Sequence, residues 1–272
     1  MKNQNKKDNN PSYLIKRYMG VNMKKHKKII FLVVLLLIIG LSLFGFFSYK
    51  NVKSNEFKKF IINDTIEVGN QEEKDIYKEE ITSLQNEYNN QDVVGTIEIE
   101  NTDYKVPIVQ GNDNKFYLSH LPNKEYSIMG SIFLDYRVNI NASRKLLIYG
   151  HNSKIYDMPF KILENYYDID YLNSHKYVDI KTKEKVKRYE IFSLYVATSD
   201  YKYMNVKFTD SEYQEHVKYL QDKSMYEINT NLDYNDDILI LQTCSTHKDY
   251  LKYKKKYLVI AFHEVNVKES VN

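Results

Sequence analysis

Three kinds of hydrophobic pattern follow one another along the chain. The first is unbroken: Ile29 to Phe47 reads IIFLVVLLLIIGLSLFGFF, nineteen residues with no charge and with Ser42 as the only polar side chain. A helix rising about 1.5 Å per residue carries such a run across roughly 28 Å, close to the hydrocarbon thickness of a bilayer. The second is periodic. In residues 71–89, QEEKDIYKEEITSLQNEYN, the residues Tyr77, Ile81, Leu84 and Tyr88 recur at helical spacing among acids and amides, which predicts an amphipathic helix with one apolar stripe. From Val93 the pattern shortens to eight runs: VVGTIEIE, YKVPIVQ, SIFLD, KLLIYG, KYVDIKT, YEIFSLYVAT, DILILQT and KYLVIAFHEV. Strand-sized runs with turn-like breaks need neighbours to satisfy their backbone groups and bury a face, which predicts a barrel or sandwich. Two more stretches read as helical, MPFKILENYY (158–167) and FTDSEYQEHVKYLQDKSMYE (208–227). The second offers Thr209 or Asp210 as N-cap, Glu212 in the first turn and an apolar spacing of Tyr213, Val217 and Leu220. The predicted organisation is a basic tail (1–28), a membrane anchor (29–49), a linker with the amphipathic helix (50–92), one mostly β domain with helical additions (93–267) and a short tail (268–272). No repeat or low-complexity linker interrupts the domain, and 8 Gly and 4 Pro give little sign of a further boundary.

Charge gives the anchor an orientation. The chain of 272 residues is nearly neutral, at +3, but residues 1–28 hold nine basic residues and a single acid, Asp8. That tail carries about +8 and leaves about −5 for everything after it. Basic excess before the span predicts a cytoplasmic N-terminus and an exported domain, although Lys50, Lys53, Lys58 and Lys59 follow the span. A cleaved signal peptide is the competing expectation, but its apolar region is shorter and ends at an Ala-x-Ala-like site, whereas no alanine precedes Ala142. A single cysteine, Cys244, excludes an intramolecular disulfide and a Cys-rich metal site. The 26 tyrosines interleaved with lysines resemble a nucleic-acid stacking surface, but a domain near −5 outside the cytoplasm argues against nucleic acid.

Two apolar segments end at reactive side chains, LLIYGHNSK (146–154) at His151 and ILILQTCST (238–246) at Cys244. Strand ends at a barrel rim are reachable by substrate and held firmly, so a thiolate nucleophile and an imidazole base can be presented there. The residues alone leave two readings open, because a lone cysteine is commonly a small buried hydrophobe and a lone histidine an ordinary core or surface residue. Asp135 and Arg137, two apart in FLDYR, read as a structural ion pair, with Arg137 the runner-up electropositive partner for the pair. His120, His175, His216 and His247 have no metal-ligand spacing, and His263 reads as part of a barrel wall. No metal or cofactor is expected.

The ordered set GSIFLDYR (130–137), LLIYGHNSK (146–154), LILQTCS (239–245) and YLVIAFHEV (257–265), behind an N-terminal anchor, resembles the sortases, the membrane-anchored cysteine transpeptidases of Gram-positive bacteria. The likeness covers about residues 70–267, and the helical insertion at 208–227 with the Tyr-Gly-His-Asn wording is most similar to class B. The resemblance implies an eight-stranded barrel with a catalytic Cys244 ending the seventh strand and a catalytic His151 after the fourth. It further implies cleavage of a Pro-x-Thr type C-terminal sorting signal on a surface protein, a thioacyl intermediate, and transfer to a cell-wall amine. Thr243 and Asn152, flanking the catalytic residues, are candidate substrate contacts. The chain departs from the family in one place that bears on catalysis. The resemblance also implies a catalytic arginine at the start of the eighth strand, holding substrate and oxyanion, but no arginine lies between Cys244 and that strand; Lys256 is the nearest match, and Lys254 shares its face at period two. Lysine keeps the charge and loses the bidentate fork. Position 240 is also Ile where the family usually has Thr. The alternative to a transpeptidase is therefore a catalytically weak or inactive sortase-like peptide-binding protein, and a third option is a bitopic structural protein with an incidental cysteine.

Overall fold

The computed structural model describes residues 11–62 and 73–266. The first part of the predicted basic tail, residues Gln71 and Glu72 of the predicted helix, and the tail at 268–272 lie outside the described residues. The chain divides into two compact units, Met1–Asn51 and Val52–Asn272. Helix α1 (Pro11–Lys58) is much longer than the apolar run that predicts it. Its segment His26–Lys58 is long and apolar enough to cross a membrane, and the side chains from Ile29 to Phe47 are exposed in the absence of one. An apolar helix near the N-terminus is a feature of both anchors and signal sequences.

All eight strand-like runs become strands: β1 (Val93–Ile99), β2 (Lys105–Val109), β3 (Phe133–Leu134), β4 (Lys145–Tyr149), β5 (Tyr177–Lys181), β6 (Val186–Ala197), β7 (Ile238–Cys244) and β8 (Tyr257–Val265). They close into a barrel in the order β1-β2-β3-β4-β7-β8-β6-β5. Closure leaves no long unpaired edge. Two neighbours are parallel, β2 with β3 and β4 with β7; the others are antiparallel. The β4–β7 pair is central. After the buried Lys145, its sequences LLIY and ILIL are apolar without alternation because both faces are covered, and each of those residues is buried. Strand β5 shows the opposite pattern, alternating buried and half-buried positions.

Helix α2 (Glu73–Glu87) lies against β1 and buries Ile76, Ile81 and Leu84, with Tyr88 just beyond its end; Tyr77, expected in the stripe, is half-buried. The stretch at 158–167 is a 3-10 helix over Lys161–Tyr167, and a helix the sequence pattern did not predict follows it, α3 (Ile169–Ser174), capped by the Asp168 side chain. Helix α4 (Asp210–Asp222) is shorter than its predicted span. Thr209 is its N-cap, and Thr209 and Glu212 form a reciprocal capping box, a device that contributes about 1 kcal/mol. Its buried stripe is Tyr213, His216, Val217 and Leu220.

Candidate functional site

Parallel pairing of β4 and β7 brings the ends of the two reactive segments together. Tyr149 pairs with Gln242, and the strands are then stitched past their last residues. The Gly150 amide donates to the Gln242 carbonyl at 3.2 Å, the Thr243 hydroxyl to the Gly150 carbonyl at 2.8 Å, and the Asn152 amide nitrogen to the Cys244 carbonyl at 2.9 Å. These bonds fix the backbone of His151 relative to that of Cys244. Gly150 is required by packing, since a Cβ there would stand 2.6 Å from the Phe160 ring. Of the two expected substrate contacts, Thr243 is fully buried and donates its hydroxyl to the Gly150 carbonyl, and Asn152 is nearly buried and donates its amide nitrogen to the Cys244 carbonyl, so both brace the two strand ends.

His151 and Cys244 line one cleft of about 470 Å³, walled by aromatic rings from Phe133, Tyr149, Tyr201, Tyr203 and Tyr257. The His151 Nε2 lies 2.7 Å from the Leu118 carbonyl oxygen. A carbonyl has no proton to give, so Nε2 carries the hydrogen and Nδ1 is left as the nitrogen open to proton exchange. Gly130 makes that contact available. It has φ of +61°, and a Cβ there would approach the Leu118 oxygen to 2.7 Å and the His151 ring to 3.0 Å.

Cys244 is exposed at the cleft, yet desolvation by the surrounding protein pushes its thiol above the usual range while the Lys256 ammonium pulls it down. Lys256 is the residue before β8. Its carbonyl accepts from the Ser245 amide at 3.0 Å, and its Nζ donates to the Tyr253 carbonyl at 3.1 Å. The residue directly across the ladder from Cys244 is Tyr257, and the lysine that lines the cleft is Lys255. Lys254 belongs to the loop before β8, so the period-two argument that placed it beside Lys256 does not apply.

One wall of the cleft is held by two basic side chains, Arg137 and Lys145, the latter with its pKa pushed well below the usual range by burial and by the nearby Arg137 charge. Tyr203 and Met204 belong to a short turn after β6. Lys145 Nζ reaches the carbonyls of Tyr203 at 2.7 Å and Asn205 at 2.6 Å, and Arg137 Nη2 reaches the intervening Met204 carbonyl at 3.0 Å. Lys145 also lies 2.8 Å from His216 Nε2. Burial, with Lys145 beside it, holds His216 down at about 3, so the imidazole is neutral and accepts from the ammonium. Arg137 forms the ion pair with Asp135 that the sequence suggested, through Nε at 2.8 Å and Nη2 at 2.7 Å. Tyr149 and Asn114 donate to the same carboxylate, each at 2.9 Å. Burial alone would raise Asp135; Arg137, Tyr149 and Asn114 together outweigh it and leave the carboxyl below its usual range.

The chain leaving Cys244 is also anchored. Ser245 Oγ lies 2.7 Å from the Tyr167 hydroxyl, and Glu164 accepts from both the amide and the hydroxyl of Thr246. His247 packs on the Tyr167 ring. The other histidines sit apart from the cleft: His120 stacks on Phe116, His175 on Tyr171, and His263 is buried in the barrel wall between Thr230 and Asp236. Among the described residues no group of His, Cys, Asp or Glu is arranged to hold a metal.

Residues 97–264 match the sortase domain family. Sortase B of Listeria monocytogenes is 35% identical over 165 residues, covering 60% of this chain and 67% of that protein. The crystal structure of Clostridium perfringens sortase B superposes with a TM-score of 0.61 at 32% identity, covering 68% of this chain and 99% of that one. The Staphylococcus aureus sortase B–substrate complex superposes with a TM-score of 0.62 at 27% identity, covering 70% and 86%. With the closed eight-stranded barrel and the ordered motifs, these likenesses show that the chain belongs to the sortase family of cysteine transpeptidases, as a class B member.

Proposed function

We propose that the protein is a membrane-anchored transpeptidase in which Cys244 is the nucleophile and His151 the general acid and base. The observation that carries this reading is the convergence of the two side chains on one cleft from strand ends stitched together through Thr243 and Asn152. In the first half-reaction the Cys244 thiolate attacks the carbonyl of a threonine in a Pro-x-Thr type C-terminal sorting signal. The carbon–nitrogen bond breaks as His151 gives a proton to the leaving amine, and a thioester remains on Cys244. In the second, a cell-wall amine attacks that thioester, His151 takes its proton, and the thiolate departs. Nδ1 is the ring atom assigned to both transfers, since Leu118 occupies Nε2. The apolar, aromatic walls suit an extended peptide with a proline, and the S. aureus relative is solved as a complex with substrate.

Lys256 is assigned the electrostatic part, favouring the thiolate and the developing oxyanion as a point charge without a fork of donors. The catalytically weak, peptide-binding alternative rests on one specific observation: Tyr257, not a cation, stands opposite Cys244. In the cell the domain lies outside the membrane, tethered by Ile29–Phe47 with the N-terminus in the cytoplasm. Cys244→Ala tests the enzymatic reading: cleavage of a Pro-x-Thr peptide is expected to vanish while thermal unfolding stays near wild type. Undiminished cleavage by that variant removes Cys244 from the mechanism.

A further inference from the structure

The loop between β7 and β8 carries Lys248, Lys252, Lys254, Lys255 and Lys256 against a single carboxylate, Asp249. The first four lysines are exposed and the fifth is half-buried. Among the described residues none of the five is ion-paired with a carboxylate. Elsewhere in the domain Lys105, Lys161 and Lys187 each lie within 3.0 Å of one. The same loop exposes apolar surface. Leu251 is 50% and Tyr253 39% exposed, with the Lys252 ammonium 5.2 Å from the centre of the Tyr253 ring. A soluble polyanion would use the lysines and leave Leu251 and Tyr253 in water. A bilayer interface uses both, since ammoniums reach lipid phosphates while aliphatic and aromatic groups enter the boundary between headgroups and acyl chains. The loop is also a local reversal of sign in a sequence that carries about −5 beyond residue 28.

We propose that this loop docks on the headgroup layer of an anionic bilayer and so seats the Cys244 cleft at the membrane surface. The inference rests on the anchor assigned above, which keeps a bilayer at high effective concentration around the domain, so that a weak surface contact suffices. Lys255 joins the two functions, belonging to the loop and lining the cleft.

The chain contains no tryptophan, so Tyr253→Trp supplies a single indole that can be excited selectively over the remaining tyrosines. The full chain carrying it is placed by its own anchor in nanodiscs with brominated acyl chains, made either of phosphatidylglycerol or of phosphatidylcholine. The expected result is blue-shifted, bromine-quenched emission in the anionic disc and water-like emission in the neutral one. Adding Lys248→Glu and Lys252→Glu should abolish the quenching at an unchanged unfolding temperature. Water-like emission in both discs overturns the proposal, as does a shift produced by soluble polyphosphate with no quenching in either disc. A chain that incorporates into neither disc overturns the anchor, and the docking proposal with it.

Discussion

Burial and a lysine pull the Cys244 thiol in opposite directions, and burial prevails. The free enzyme therefore holds little thiolate at neutral pH, and the nucleophile must be generated as a neighbouring base accepts its proton. This makes the charge at position 256 measurable. The rate of Cys244 alkylation by a small reagent is expected to rise with pH around a midpoint above that of a free thiol. Lys256→Met should move the midpoint further up, and Lys256→Arg should leave it in place. A midpoint indifferent to Lys256→Met would show that the ammonium does not act on the sulfur. His151 illustrates a different limit on what one residue type reveals. Its position after a Tyr-Gly step was legible, but the carbonyl that fixes its tautomer, Leu118, lies 33 residues earlier and carries no sequence signal for that role.

The strands were legible because their patterns are strong: doubly covered β4 and β7 read as apolar runs, and α4 was marked by a candidate N-cap at Thr209 or Asp210 with Glu212 following. Shorter elements were not. Helix α3 has six residues, too few to show a period, and its only sign is the Asp168 cap. The clamp on the cleft wall was hidden for a physical reason. Lys145 opens an apolar strand, and its partners are carbonyls of residues 203 and 205, which any sequence would supply. At the level of the element, Lys145→Met leaves those carbonyls without their donor and loosens the turn that presents Tyr203. We expect a stability loss of about 2 kcal/mol, since unsatisfied buried groups cost about 1–3 kcal/mol each and removal of a buried charge offsets part of it. KM for the sorting peptide should rise by more than kcat falls. An unchanged KM in a folded Lys145→Met variant would separate the turn from substrate binding.

Across the whole molecule, the division into an apolar helix and a strand-rich domain follows from pattern alone, the choice of a barrel over a sandwich came from the family resemblance, and the register that makes a site is in neither. Only the parallel pairing of β4 with β7, separated by 88 residues from Tyr149 to Ile238, brings His151 and Cys244 to one cleft. The sequence separation of 93 residues between them says nothing about it. Thr243 and Asn152 flank the reactive residues in sequence, and their hydrogen bonds to the Gly150 and Cys244 carbonyls, which hold the two strand ends together, carry no sequence signal. Both half-reactions assigned to the cleft pass through covalent chemistry at Cys244. The direct measurement is intact-protein mass spectrometry of the full chain after incubation with candidate Pro-x-Thr pentapeptides. A thioacyl adduct of the mass ending at the threonine, located on Cys244 and discharged by an added amine, is the predicted result. Peptide bound and released uncleaved, with no adduct on Cys244 from any such peptide, would contradict the account.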